Sequence, residues 1–198
     1  MLDKTILFFD TETSGMANFK SGYRSKQPWI CQLGLILSNG KRDFTETSFL
    51  IRSNGRKMSK EAKNVHGISE EECDKYGISE ISACYFFLEQ LLASDLIVCH
   101  NVSFDTLLTS SMLFTNDLKD EAEYLINFDS YCTMISGTNI CKIPSKNPRY
   151  SQYKWPSLQE LHKHLFNKEF EGAHSAIEDI RATKKCFYEM RKEHDVKL

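Results

Sequence analysis

Apolar positions along this chain change rhythm several times, and each change marks an element. Residues 5–9 form a short apolar run rich in β-formers, the pattern of a buried strand. Residues 30–37 and 44–51 predict two more strands, joined by the hairpin-forming turn Ser38-Asn39-Gly40-Lys41. From Ser79 the rhythm turns helical: Ile81, Tyr85, Leu88 and Leu92 fall three or four apart and predict one apolar face. Residues 96–99 return to strand and 104–114 to helix. A weaker helix is expected over 117–125, and a short last strand at 126–128. Leu158, Leu161 and Leu165 mark a helix opened by Pro156-Ser157, and Ala176, Ile180, Thr183, Phe187 and Met190 mark the final one. Residues 137–155 follow no rhythm and predict a long loop, a kind that often carries function. The alternation predicts an α/β fold: a mixed β-sheet, antiparallel at its start and parallel afterwards, with helices on both faces.

A length of 198 residues suits one domain with a full core, so residues 1–198 are expected to form a single domain. Hydrophobic residues at 41% and charged residues at 26% are ordinary globular composition. No apolar stretch approaches the roughly 20 residues of a membrane span, and the N-terminus lacks the features of a secretory leader. A cytoplasmic protein with no membrane association is therefore expected. The seven cysteines are odd in number and form no C-x-x-C, which predicts reduced core thiols rather than disulfides or a zinc site. His162 and His164, two apart on a helix, point in different directions and predict no metal site.

The net charge of −2 is unevenly distributed. Lys20, Arg24, Lys26, Lys41 and Arg42 follow Thr13 with no acid among them; Lys142, Lys146, Arg149 and Lys154 lie in a second acid-free stretch. Such segregation gives a nearly neutral protein a positive face.

Five residues carry the candidate chemistry: Asp10, Glu12, Asp105, His174 and Asp179. Asp10 and Glu12 are two apart at the end of the first strand, so both point to one side of the sheet. Like charges this close repel, and a bound divalent cation removes the objection. Asp105 follows the buried run 96–99 in the first turn of a helix. His174 stands after the flexible Gly172, one helical turn from Asp179, a placement suited to proton transfer. Each has a plain reading alone: solvated strand-end acids, a helix N-terminal acid, a surface histidine. Together they point to hard cations held by oxygen, and phosphodiester cleavage runs well between two such ions about 4 Å apart.

Asp10-Thr11-Glu12-Thr13-Ser14-Gly15, His100-Asn101-Val102-Ser103-Phe104-Asp105 and His174-Ser175-Ala176-Ile177-Glu178-Asp179 resemble, in order, the three motifs of the DEDD exonuclease superfamily. The H-x-A-x-x-D form resembles its histidine branch (DEDDh, DnaQ-like), which includes proofreading subunits of bacterial replicative polymerases and three-prime repair exonucleases. In the tyrosine branch a Tyr would stand where Ser175 does. Val65-His66-Gly67-Ile68-Ser69 also resembles a segment that these enzymes place beside the active site. The resemblance covers residues 6–188. It implies a ribonuclease H-like fold, two Mg²⁺ or Mn²⁺ ions held by Asp10, Glu12, Asp105 and Asp179, and His174 as general base. It further implies that Met16 wedges against the last base, that Phe104 lines the terminal nucleotide, and that Thr13, His66 and Asn101 lie near it.

The activity so implied is 3′→5′ removal of nucleoside 5′-monophosphates, with single-stranded DNA 3′ ends preferred because residues 11–15 look closer to proofreading and repair members. The alternative is an exoribonuclease that trims RNA; a non-catalytic nucleic-acid-binding module is disfavoured because all five positions are filled. The interleaved cations and aromatics of residues 142–155 suit phosphates and bases, and the basic run 20–26, with Tyr23, is expected to help. Docking to a polymerase or homodimerisation is compatible with the sequence and not specified by it.

Overall fold

The computed structural model describes residues 4–147 and 151–193. Five strands, β1 (Ile6–Thr13), β2 (Ile30–Ser38), β3 (Asp43–Leu50), β4 (Leu96–Cys99) and β5 (Ser130–Cys132), form one mixed sheet in the order β3-β2-β1-β4-β5. The β1–β2 and β2–β3 pairs are antiparallel, and the β1–β4 and β4–β5 pairs are parallel. Eight helices occur among the described residues: α1 (Lys60–His66), α2 (Glu70–Tyr76), α3 (Glu80–Leu92), α4 (Val102–Thr115), α5 (Lys119–Ile126), α6 (Thr133–Cys141), α7 (Leu158–Phe166) and α8 (Ala176–Glu193). None is long and apolar enough to cross a membrane.

Strand alternation sorts the core into two layers. Leu7 and Phe9 of β1 join Leu33 and Leu35 of β2 and Ile97 and Cys99 of β4 in a cluster that includes Phe87 of α3 and Leu108 and Met112 of α4. Ile6 and Phe8 join Ile36, Leu96 and Val98 against Ile180 and Phe187 of α8. With both faces covered, the central strands lose the apolar–polar alternation of a half-exposed sheet and read as continuous apolar runs.

Helix α8 seats itself on the sheet at Gly34, where a Cβ would lie 2.7 Å from Ile180 Cδ1 and 3.0 Å from Ala176 Cβ. Only a residue without a side chain admits the helix at this distance. The Ala176 N–H, at the start of α8, donates to Gln32 Oε1 at 3.1 Å, so a β2 side chain satisfies a helix-end donor. Since Asp10 pairs with Gly34 and Glu12 with Gln32, the first turn of α8 lies over the carboxylate end of β1.

The structure corrects several expectations. The strand at 126–128 is absent: Ile126 ends α5, and the last strand lies at Ser130–Cys132. The buried face of α3 is Cys84, Phe87, Leu88 and Leu91; Tyr85 and Leu92 are 56% and 68% exposed. The apolar stripe is thus rotated from the one expected, because an apolar side chain at helical spacing need not be the one that meets the sheet. Strand β1 runs on from the apolar residues 5–9 to Thr13, and Asp10 and Glu12 stand in its last four residues, at the strand end where they were expected. Helix α6 occupies the start of the expected long loop.

Candidate active site

The parity that sends Ile6 and Phe8 toward α8 continues through Asp10 and Glu12. Carboxylate oxygens of Asp10, Glu12 and Asp179 all lie within 4.8 Å of one another. Asp179 is in the first turn of α8, and its Oδ2 accepts a hydrogen bond from the His174 N–H at 3.2 Å. Asp105 approaches from α4, on the other layer, and is held by the intervening residue of β1. Its Oδ1 accepts from the Thr11 N–H at 3.0 Å and from Thr11 Oγ1 at 2.8 Å. Asp105 therefore borders the three-residue cluster without belonging to it.

Burial and crowding raise the pKa of all four acids. Asp10 is raised well above the usual carboxylate range, by burial first and then by the charges of Asp105, Asp179 and Glu12. Glu12 rises to about 7, through burial and Asp179. Asp105 rises to about 7 through burial, against the opposing hydrogen bonds from Thr11. Asp179 rises to about 6 through burial, against the His174 N–H and the His174 charge. Four acids that resist ionising together, with several oxygens converging, form a hard-donor set whose repulsion a divalent cation would relieve. The residues fit such an ion.

His174 is exposed and stands at φ 69°, a left-handed conformation unusual for a residue with a side chain. It falls between Gly172 (φ 76°) and the start of α8. It lies near enough to Asp179 and His66 to interact electrostatically with both.

A cavity of about 220 Å³ adjoins the cluster, lined by Glu12, Thr13, Met16, Val65, His66 and Phe104 among others. It is smaller than the roughly 300–1,000 Å³ of sites that enclose a whole small molecule, so it would take part of a larger one. Met16 is 86% exposed on its rim. His66 is fixed as a neutral tautomer: Nδ1 accepts from the Ile68 N–H at 3.1 Å, and Nε2 then carries the proton toward the Thr13 carbonyl oxygen at 3.3 Å. Burial lowers its pKa. Asn101 does not line this cavity; it supplies the left-handed turn (φ 78°) that launches α4 and so aims Asp105.

The basic aromatic segment is more ordered than a loop. Pro144 and Tyr153 form an antiparallel bridge, and the Lys154 N–H donates to the Ile143 carbonyl. His100, kept neutral by burial with a pKa near 4, donates from Nε2 to the Pro156 carbonyl oxygen at 3.1 Å and ties the base of this arm to the turn before Asp105. Lys154 is not free for phosphate: its Nζ reaches both carboxylate oxygens of Glu160, at 2.6 and 2.8 Å. Trp155 remains 64% exposed. Pro148, Arg149 and Tyr150 lie outside the described residues.

Three supporting residues escaped sequence reasoning: Thr11, Gln32 and Gly34. Thr11 and Gln32 act through partners 94 and 144 positions away, and Gly34 matters only once α8 is on the sheet.

The exonuclease family model (RNase_T) matches residues 7–187 of the chain. Among solved structures, E. coli exonuclease I in complex with a dA16 oligonucleotide aligns with a TM-score of 0.72 and 19% identity, covering 97% of this chain and 42% of that one. The zinc-bound form of the E. coli exonuclease I–single-stranded DNA complex aligns at 0.73 and 19% identity, covering 98% and 41%. The complex of E. coli exonuclease I with a dT13 oligonucleotide gives 0.71 and 19%, covering 96% and 41%. The chain thus spans about two-fifths of the length of the chains it matches, and the likeness is one of fold: the ribonuclease H-like architecture expected from the motifs. None of the curated proteins compared matches the chain.

Proposed function

This chain belongs to the exonuclease family matched over residues 7–187, and from that premise we propose that it is a divalent-metal-dependent 3′→5′ exonuclease. Its substrate is the 3′ end of single-stranded DNA, and its products are nucleoside 5′-monophosphates. The observation that carries this reading is the convergence of Asp10, Glu12 and Asp179 oxygens within 4.8 Å, beside Asp105 and a small cavity. The structural neighbours' complexes with single-stranded oligonucleotides support the choice of DNA. In this proposal the chain acts as one exonuclease domain.

Mg²⁺ or Mn²⁺ ions held by Asp10, Glu12, Asp105 and Asp179 would supply Lewis acidity toward the phosphodiester and make water acidic enough to react near neutral pH. The chain's own residues do the rest. Thr11 fixes the Asp105 carboxylate from behind, and the His174 N–H fixes that of Asp179. The His174 imidazole, at the exposed edge, accepts the proton of the attacking water and passes it to solvent. The terminal base enters the cavity between Met16 and Phe104, with His66 and Thr13 on its wall. This places the last phosphodiester over the carboxylates, which selects a chain end over an internal bond.

The test is a pair of 5′-labelled single strands of one sequence, DNA and RNA, incubated with Mg²⁺ or EDTA and resolved on a gel, with released nucleotides separated by chromatography. The proposal expects a ladder shortening from the 3′ end of the DNA, faster than for RNA, and 5′-monophosphates as product. Faster trimming of RNA would make the enzyme an exoribonuclease; internal cuts or 3′-monophosphates would overturn the assignment.

A further inference from the structure

Close to Gly15, which lines the terminal cavity, lies a second and larger cavity, a groove of about 580 Å³ between residues 24–30 and the side of α4 that carries Leu108 and Met112. A Cβ at Gly15 would lie 4.0 Å from Pro28 Cγ, which lines the groove, and 4.0 Å from Ser59 Oγ, which lines the terminal cavity. The groove wall is also fastened to the site-bearing strand: the Ser14 N–H donates to the Trp29 carbonyl at 2.9 Å, and the Trp29 N–H donates to Ser14 Oγ at 3.0 Å.

Four cations line this groove against two acids, and they divide into two kinds. Arg56 and Arg24 belong to the scaffold. Arg56 pairs with Glu80 at 2.7 Å and lies over the Trp29 ring, and Arg24 pairs with Glu123 at 2.7 Å. Lys26 and Lys119 are differently placed. Lys26 is exposed and makes no ion pair among the described residues, and Lys119 is held only loosely, 4.0 Å from the exposed Asp117 and with its ammonium 5.8 Å from the centre of the Phe114 ring. The groove therefore offers two exposed ammonium groups, one without an ion pair and one loosely held, beside the buried Leu108 and Met112 and close to the terminal cavity. A positively charged groove that tracks a backbone is the usual means of holding a single strand.

Resting on the reading of the site as an exonuclease centre, we infer that the groove along α4 is the track for the strand upstream of its terminal nucleotide, with Lys26 and Lys119 neutralising its phosphates. The catalytic cluster then handles the end, and the groove sets how much strand is gripped.

The experiment compares wild type with the double variant Lys26→Ala/Lys119→Ala on a dinucleotide, too short to reach the groove, and on an eight-nucleotide DNA strand. The variant should raise KM for the longer strand and lower the slope of log KM against log salt by about 1.4, or 0.7 for each lost cation. Cleavage of the dinucleotide should be unchanged, and Lys26→Arg/Lys119→Arg should restore the longer strand's KM. Equal effects on both lengths, or none on either, would overturn the track. Fluorescence anisotropy of the labelled eight-nucleotide strand in EDTA reads the groove without hydrolysis. Should the wild type cleave neither DNA nor RNA, the exonuclease reading fails on its own, while unchanged affinity in the double variant defeats the groove.

Discussion

Asp105 Oδ1 receives two hydrogen bonds from one residue, the Thr11 N–H at 3.0 Å and the Thr11 hydroxyl at 2.8 Å, although 94 positions separate the pair. Thr11 points to the α4 layer while its neighbours Asp10 and Glu12 point to the α8 layer, so a single strand organises carboxylates arriving from both faces. Thr11→Val keeps the shape and removes the hydroxyl donor. The bond favours ionised Asp105, whose pKa lies near 7, so its loss should cost about 1.5–3 kcal/mol of stability at pH 8 and less at pH 5. Urea unfolding in EDTA at the two pH values reads the difference; an equal cost at both would mean that the hydroxyl does not support the charged form.

A second prediction concerns pH and the metal-free protein. Glu12 at about 7 and Asp179 at about 6 are raised above their ordinary values of 4.5 and 3.8, and Asp10 is raised as well, by burial and by its three acidic neighbours. A carboxylate with a raised folded-state pKa favours folding fully below its unfolded pKa, and that contribution is lost as pH rises through the folded value. In EDTA the site should therefore weaken the fold progressively from about pH 4 to pH 7 and above. Asp10→Asn removes a buried charge repelled by Asp105, Asp179 and Glu12, so its Tm should exceed that of wild type at pH 8 and approach it near pH 4. His100 and His66, lowered instead of raised, oppose this trend in both proteins and cancel in the comparison. A Tm below wild type at pH 8 would make Asp10 a structural residue.

Gly34 tests how α8 delivers Asp179. Gly34→Val would drive a side chain into Ile180 and the Ala176 backbone, which a Cβ alone would meet at 2.7 and 3.1 Å. Overpacking of this kind costs about 1–3 kcal/mol, and the shift of α8 should weaken Mn²⁺ binding measured by calorimetry. Unchanged Mn²⁺ affinity in a folded variant would separate the seating of α8 from the geometry of the cluster.

How much of this could be read from the chain depended on the range of the interaction. The α8 stripe was legible, and Ala176, Ile180, Phe187 and Met190 are all buried, because one long amphipathic helix repeats its signal over five turns. The stripe of α3 was misplaced because Tyr85 and Leu92 are apolar in type but face solvent. Helices α1 and α2 were passed over, although Ser69 and Glu72 form a capping box that a scan for S-x-x-E would have found. Strand β5 was set four residues too early because Ser130-Tyr131-Cys132 is barely apolar, whereas 126–128 contains Ile126 and Phe128. In the site, the acids stood out by type and spacing. Thr11, Gln32 and Gly34 did not, since their roles exist only after strand register brings distant segments together.

His174 yields a prediction in which stability and catalysis part company. At φ 69° the residue occupies a conformation that suits glycine, so His174→Gly should fold at least as stably as wild type by thermal melting. The imidazole is nevertheless the assigned proton acceptor, and its loss should lower kcat by about 10²–10⁴-fold with Mn²⁺ stoichiometry unchanged. Wild-type kcat would remove His174 from the reaction, and a lost ion would make it a ligand.

The proposed function requires the carboxylate cluster to act as a metal-dependent hydrolytic centre. The most direct measurement is the initial rate of 3′-nucleotide release from a 5′-labelled single strand as Mg²⁺ is titrated into EDTA-treated protein, with Asp10→Asn assayed in parallel. Wild type should release nothing without the ion and rise with a dependence steeper than first order if the proposed pair of ions binds cooperatively, while Asp10→Asn stays near background throughout. Release by wild type in EDTA, or a wild-type rate from Asp10→Asn, would show that the cluster is not a metal-dependent hydrolytic centre.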